Sequence, residues 1–367
     1  MATVLDVCIR GAGIVGRSLA LLLAAERLRV GLVDLQPAPG SDVRAYALNA
    51  ASRQLLESVR AWPDEAHATP VLGMEVHGDE DGTVHFHAGQ SPALAWIVDV
   101  PALEQRLAEA LRFQPSVTTL TAPAEAALTI VCEGRASSTR ADFGVEYDIR
   151  PYGQHAVAAR LRSERPHGHV ARQWFANGEV LALLPLGGQT AGEGAHDVAL
   201  VWSVQQERSE RLLHCDAQEF ATLVSAASQQ ALGSLQLASE RAAWPLQLAR
   251  ADRWTGPGWA LAGDAAHTVH PLAGQGLNLG LADARTLAQV LHEREYWRGV
   301  GDPKLLRRYE RARKADVLST GAVTDGLQQL FAQDHAAWTA FRNWGMRGFE
   351  AASPLKSWVV RQAAGRL

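Results

Sequence analysis

The chain has 367 residues, 47% of them hydrophobic and 20% charged, with a formal net charge of −4. This is ordinary globular composition, long enough for two substructures with cores of their own, and it excludes the disordered classes. The weakly acidic balance leaves no basic footprint for a nucleic-acid partner, and no apolar run approaches the roughly 18 residues needed to span a bilayer.

In chain order, Val4 to Ile9 reads as a buried strand, opening directly from the N-terminus with Asp6 inside it rather than as a secretory signal, so the cytoplasm is the expected compartment. It is followed by Gly11-Ala12-Gly13-Ile14-Val15-Gly16, a helical run from Ser18 to Arg27, and a second strand Val30 to Val33 that ends at Asp34. Strand, glycine loop, helix, strand and terminal acid form the dinucleotide-binding fingerprint in its required context. Gly11 makes the turn, Gly13 leaves room for a pyrophosphate, Gly16 lets the helix pack closely, and Asp34 is placed to accept ribose hydroxyls. Arg10 occupies a strand end that is usually apolar, and two readings are open for it, phosphate or solvent.

Residues 1–70 and 96–145 read as βα units of this cofactor domain, and 71–95 and 146–249 as a second, strand-rich domain interrupting it. Glu75 to Ala88 and Val157 to Gln206 carry the strand signal, with Asp197 to Gln205 mostly alternating, and Asp216 to Leu232 reads as a helix behind a capping box of Asp216 and Glu219. His85 and His87 share one strand face, a pair of ligands or a solvated face, and the second is favoured because no third ligand is placed to join them. Trp174 and Phe175 line a cavity or belong to the core. Cys8, Cys132 and Cys215 are odd in number and widely spaced, which suits reduced thiols buried as small hydrophobes and not a disulfide or zinc framework.

The chain returns to the cofactor domain over 250–325. Trp259 to Ala262 reads as a short buried strand, and GDAAHTVHPLAGQGLNLGLAD from Gly263 to Asp283 runs from its end into a long helix opened by Leu277, Leu279 and Leu281. Glycines and free amides at that helix start suit an anionic ligand, although taken alone the loop also reads as an ordinary connection. His267 and His270 are three apart, but in a loop beside a proline, which disfavours a metal. Neither a GxSxG elbow nor a phosphate-binding P-loop is present, which removes the commonest hydrolase and NTPase readings. From Leu305 the chain reads helical, and 326–367 as C-terminal helices whose Trp338, Phe341, Trp344, Met346, Phe349 and Trp358, interleaved with Arg342, Arg347, Lys356 and Arg361, suit either a lipid interface or packing on the cofactor domain.

Together these segments resemble the class A flavoprotein monooxygenases and, within them, the ubiquinone-biosynthesis aromatic hydroxylases. The resemblance spans nearly the whole chain through GAGIVG, DVRAYALNAASRQLLESVRAW, IVDVPALEQRLAEAL, CEGRASSTR, YGQHAVAA, LALLPL, the Gly263–Asp283 segment and TDGLQQLFA, in that order. It implies an α/β (α+β) fold, a Rossmann-like FAD-binding domain with an interrupting mixed β-sheet substrate domain as in para-hydroxybenzoate hydroxylase. Gly11, Gly13, Ile14, Gly16 and Asp34 would hold the ADP half of FAD, Arg44 would approach the cofactor, and Asp264 would bind its ribityl or pyrophosphate region. Pro271 and the backbone of Ala273, Gly274, Gln275, Gly276, Leu277 and Asn278 would border the isoalloxazine, with His270 and Pro271 nearest the chemistry.

NAD(P)H is implied as co-substrate and O2 as oxidant, with hydroxylation of a phenol, bulky or polyprenylated, through a flavin C4a-hydroperoxide. Association with the inner membrane or a quinone-biosynthesis complex is implied for such substrates. A flavin-dependent isoprenoid reductase and a non-catalytic flavoprotein subunit remain open on the same scaffold. The chain departs from the family pattern at Glu133, where Asp is usual before Gly134 and Arg135. It departs again at the short 113–129 segment, which implies a trimmed hairpin, and at Val100 and Pro101, where relatives often carry a polar cofactor contact.

Overall fold

Strands covered on both faces carry apolar runs, and Val7, Cys8 and Ile9 within Leu5–Arg10 (β1) and all of Val30–Val33 (β2) have that character, the two strands pairing in parallel. The helix between them, Ile14–Ala25 (α1), turns Leu19, Ala20 and Leu23 into the core beneath the sheet. The computed structural model describes residues 5–34, 42–78, 82–187, 194–269 and 275–332, with side chains to residue 318. His270, Pro271, Ala273 and Gly274, and the C-terminal segment beyond residue 332, lie outside the described residues.

Beyond β1 come parallel β9 (Ala126–Val131), β17 (Trp259–Leu261) and antiparallel β16 (Thr255–Gly256); beyond β2 comes parallel β8 (Val117–Leu120). The order of this six-stranded sheet is therefore β16-β17-β9-β1-β2-β8. Val7, Ile9, Leu128, Ile130 and Leu261 are its buried centre, packed against α1, Gln275–His292 (α7) and Pro303–Ala332 (α8). Residues 121–125 alone carry the chain from β8 across β2 and β1 to β9. The link must cover three strand spacings of about 4.8 Å, roughly 14 Å sideways, and, since β8 and β9 run the same way, also return from the end of one strand to the start of the other, which brings it close to full extension.

A larger sheet runs in the order β18 (His267–Thr268), β15 (Ala242–Ala251), β10 (Tyr147–Ser163), β13 (Asp197–Gln205), β12 (Glu179–Pro185), β11 (Val170–Ala176), β5 (Gly73–His77) and β6 (Thr83–His87), with β14 (Leu235–Leu237) also on β10. β10 is its spine, pairing along one edge with β13 and along the other with β15, where the register shifts between Pro151 and His155. One face, with Val157, Leu161, Trp174, Leu200 and Trp202, packs under Gln206–His214 (α5) and Ala217–Ala227 (α6) through Leu212, Phe220 and Val224. The other meets a small sheet of β3 (Ala45–Leu48), β7 (Ala95–Asp99) and β4 (Ala68–Val71), where Ala171, Leu186 and Ala199 touch Ala45, Val71 and Ile97.

Ala50–Ser58 (α2) and Val100–Arg112 (α3) complete the small sheet's core, and Ser138–Asp142 (α4) follows β9. Asp216 caps α6 by accepting the Glu219 amide at 2.7 Å, but the Glu219 carboxylate goes to Arg211 and not back to the cap, and the helix ends at Ala227, short of the expected Leu232. No helix among the described residues is long and apolar enough to cross a membrane. We keep as a proposal the division into a discontinuous cofactor domain (1–70, 96–145, 250–325), a substrate domain (71–95, 146–249) and a C-terminal part from 326. β5 and β6 join the large sheet, in keeping with it.

Candidate active site

The glycine loop between β1 and α1 shows which of its glycines the protein itself requires. Gly11 has φ +106°, and a Cβ there would lie 2.4 Å from the Cys132 carbonyl oxygen at the end of β9. A Cβ on Gly16 would lie 2.0 Å from the Gly11 carbonyl oxygen, so α1 can seat on the turn only with glycine at that position. Gly13 is different: its backbone is extended (φ −74°, ψ −176°), and a Cβ there meets no described atom within 4 Å. It caps α1 with no side-chain acceptor and no acid in the first turn, so the leading amides are left for an anion from outside the chain. An open glycine over uncapped amides fits the pyrophosphate of a dinucleotide. Ile14 contributes only its backbone there, since its side chain is buried with Leu48, Leu55 and Val98.

At the end of β2, Asp34 lies 3.4 Å from the Arg17 guanidinium, which also donates to the Glu104 carbonyl at 3.2 Å. Glu133 is held by four protein donors: Arg10 at 2.9 Å, Ser137 Oγ and Thr139 Oγ1 at 2.7 Å each, and the Thr139 amide at 3.4 Å. Burial works against its charge, yet these hydrogen bonds and the Arg10 guanidinium hold its carboxyl below the usual range. Arg10, which keeps part of its side chain in solvent, thus forms an ion pair with Glu133. Val100 is fully buried in the core under α3, with Pro101 in that helix's first turn behind the Asp99 cap.

Three distant segments converge on Asp264, which follows β17 in a 3₁₀ turn (Gly263–Ala265). The residue is exposed to solvent, yet many protein atoms crowd its carboxyl group. Burial therefore raises its pKa, while His267, Arg135 and Arg44 pull it back. Arg44 is gripped by the Asp42 carboxylate and reaches the Tyr46 hydroxyl at 3.3 Å, and that pairing keeps it firmly protonated. Tyr147 donates to the Asp264 carbonyl at 2.8 Å, and the buried Arg140 stacks over the Tyr147 ring and donates to the Ala265 carbonyl. The turn is thereby fixed from β10 and α4.

The same turn is fixed from below by a residue whose role sequence reading missed. Asp283 of α7 is 0% exposed and accepts the Gly263 amide at 2.9 Å, His267 Nε2 at 2.7 Å and the Arg313 guanidinium at 2.8 Å. Burial opposes its charge, but His267 and Arg313 prevail and its pKa lies below the usual value. His267 also stacks on Trp254 at 4.9 Å. At the start of α7, Gln275, Gly276 and Leu277 are partly open, while the Asn278 side chain turns away to join the Asn49 amide, Ser52 Oγ and the Ala47 carbonyl. The large sheet is tied to the small one by Arg160 of β10, which donates to Asp99 at 2.6 Å and to the Asp42 carbonyl at 3.4 Å.

Other candidates fall outside this cleft. His85 and His87 are exposed on β6, Trp174 belongs to the core under α5 and α6 with His77 stacked on it, and Phe175 is buried. Burial raises the Cys132 thiol, which sits against Gly16 rather than in any reactive setting.

A family model described as "FAD binding domain" matches residues 118–320. The chain is 30% identical to ubiquinone hydroxylase UbiL of Rhodospirillum rubrum over 396 residues, covering 99% of this chain and 90% of that protein. It is also 30% identical to the 3-demethoxyubiquinol 3-hydroxylase of Escherichia coli, covering 98% of each. Among solved structures, p-nitrophenol 4-monooxygenase PnpA from Pseudomonas putida superposes with a TM-score of 0.78 at 17% identity over 99% of this chain and 98% of that one. PqsL of Pseudomonas aeruginosa, a probable FAD-dependent monooxygenase, gives 0.75 at 20% identity, over 94% of this chain and 100% of that one. These two likenesses establish the fold. With the cradle, the length of the match and the fold in agreement, the chain belongs to the FAD-dependent monooxygenase family that includes the ubiquinone-biosynthesis hydroxylases.

Proposed function

We propose that this enzyme hydroxylates an electron-rich, polyprenyl-substituted phenol on the way to ubiquinone, using NAD(P)H and O2, at a membrane surface or within a complex that handles such lipids. The observation that carries the reading is 30% identity over essentially the full length to relatives named as ubiquinone-pathway hydroxylases, joined to a glycine loop in which Gly11 and Gly16 are packed against backbone while Gly13 faces open space. When bound, FAD supplies electron transfer and the activation of oxygen.

The chain's part is placement. The amides after Gly13 would receive the pyrophosphate and Asp34 the ribose hydroxyls. Asp264, held by Asp283 from below and Tyr147 from the side, would meet the ribityl region. Arg44, gripped by Asp42, would lie along the ring, and the backbone from Ala273 to Asn278 would border its far edge, with Pro271 and His270 closest to the substrate. Arg160 would hold the substrate sheet against the Asp42–Arg44 segment and so keep water from the reacting face.

The test is spectroscopic and then chemical. The purified protein should show a bound-flavin spectrum that bleaches with NADPH without air, and on readmission of oxygen with a polyprenylphenol analogue the ring should gain one oxygen atom from O2. Bleaching with no oxygen incorporated turns the assignment to a reductase. No flavin band with excess FAD turns it to a non-catalytic subunit.

A further inference from the structure

Away from the cleft, the turn joining α7 to α8 presents two large aromatics to solvent. Tyr296 is 94% exposed and Trp297 66%, their rings meeting edge to face at 4.9 Å. The turn behind them is pinned: Glu295 is held by Arg298 and Arg308, Arg298 also pairs with Asp302, and Asp302 accepts the Lys304 and Leu305 amides that begin α8. The pair therefore stands on a stiff base. Ordinary soluble surfaces carry such residues singly.

Beside it, α8 exposes Lys304, Arg307, Arg311 and Leu318, the last 52% exposed. At 3.6 residues per turn these four fall within about 60° of one another and span roughly 21 Å of helix. No other residue between Lys304 and Leu318 shares that arc, so it holds no acid. Lys304, Arg307 and Arg311 form no ion pair among the described residues. Residues 293–314 hold eight Lys or Arg against four Asp or Glu, in a chain of formal net charge −4. The molecule concentrates cations here against its own average.

A straight ridge of unpaired cations, with an amphipathic aromatic pair projecting at one end and a leucine at the other, matches a plane that is anionic at its surface and apolar just beneath. Trp and Tyr settle at the headgroup level, and basic residues on a helix face add attraction to anionic lipid. A protein interface centre is poor in Lys, which disfavours a protein partner for a ridge of bare cations. We propose that the Tyr296–Trp297 turn and the Lys304–Leu318 face of α8 dock this enzyme on the surface of an anionic lipid bilayer. This names the surface for the membrane association in the function proposed above, and it is tested separately from catalysis.

The experiment is co-sedimentation of the full-length FAD-loaded protein with vesicles of phosphatidylglycerol and phosphatidylcholine, against phosphatidylcholine alone, at low and high salt. Wild type should bind the anionic vesicles, release as salt rises, and lose Trp emission to brominated lipid more than Trp297→Phe does. The triple variant Lys304→Gln, Arg307→Gln, Arg311→Gln should bind on the order of a hundredfold more weakly, from about fivefold per cation near an anionic surface. Tyr296→Ser with Trp297→Ser should lose binding as well. Both variants should keep wild-type flavin content and turnover of a short, water-soluble phenol. Anionic vesicles that fail to bind wild type, binding that ignores lipid charge, or binding that both variants retain would each overturn the assignment. None of these outcomes touches the hydroxylase reading, which fails only if the soluble phenol is not hydroxylated.

Discussion

Two glycines three residues apart should behave in opposite ways on replacement by alanine. At Gly16 the new Cβ would lie 2.0 Å from the Gly11 carbonyl oxygen, where ordinary contact begins at 3.4 Å. About 1.4 Å must be found between two backbone segments, one locked by its φ of +106° against Cys132. Overpacking of this kind costs about 3 kcal/mol or more. At Gly13 no described atom is met, and the backbone is one alanine adopts freely. The poorer cap costs up to about 1 kcal/mol, and the reduced freedom of the unfolded chain returns a similar amount. The FAD-free Gly13→Ala protein should therefore melt within about 2 °C of wild type, given the entropy of unfolding for a chain this long. Its FAD affinity should fall at least about tenfold, because the methyl occupies space that the fingerprint keeps for pyrophosphate. Melting by circular dichroism and FAD titration by flavin fluorescence decide it. Gly13→Ala that binds FAD like wild type refutes the cradle, and Gly16→Ala that folds and binds normally refutes the packing argument.

Asp283→Ala should lower stability by about 3 kcal/mol, since the Gly263 amide, His267 and Arg313 lose the buried acceptor they share, and Arg313 keeps only Asp316 and the Leu279 carbonyl. The pKa of Asp283 is depressed in the folded state, so its contribution is present above the unfolded value near about 4 and is lost as pH falls through the folded one. The stability gap between wild type and Asp283→Asn should accordingly be flat from about pH 5 to 8 and close in stronger acid, and a gap that widens on acidification contradicts the assignment. Asp264 has the opposite sign: burial raises its pKa, so any stability it lends is full below the unfolded value and lost as pH rises. Asp264→Asn should leave the FAD-free protein at neutral pH as stable as wild type or more so, while FAD binding weakens; equal loss of both would show a structural carboxylate instead. Arg160→Met should cost about 1–3 kcal/mol and speed amide exchange in 42–48, as the charged bond to Asp99 and the tie to the Asp42 carbonyl are both removed. Unchanged exchange there would mean the two sheets dock without it.

What the sequence showed plainly was what short range determines. The fingerprint spans residues 5–34, and its strands, turn and helix declare themselves by apolar runs and glycine spacing. The strand-rich middle likewise follows from alternation. The long-range contacts around the site did not show, because each acts across the chain: Arg10 meets Glu133, Tyr147 meets Asp264, and Asn278 meets Asn49 and Ser52. For Asp283 a signal was present. It lies four residues after Leu279 on the buried face of α7, with Ala284 and Leu287 beside it, and an acid on an apolar helix face demands a buried partner. Its partner Arg313 lies thirty residues on, on the buried side of α8, and nothing local pairs them.

Arg10 stands at a strand end that is usually apolar and Glu133 where the family usually has Asp, and the structure joins the two. Arg10 ends β1 and Glu133 follows β9, its parallel neighbour, so their side chains emerge at the same edge of the sheet. A cation there without a partner would compete for the pyrophosphate that α1 is built to receive. The longer arm of glutamate reaches Arg10 with one oxygen while both oxygens keep the Ser137 and Thr139 donors that start α4. α4 in turn places Arg140 over Tyr147 and against the Ala265 carbonyl, beside Asp264. The pair thus connects the residues that follow β1 and β9 to the Asp264 turn through protein groups alone. Replacing Glu133 by the family's usual aspartate without also changing Arg10 would shorten that connection at its first contact.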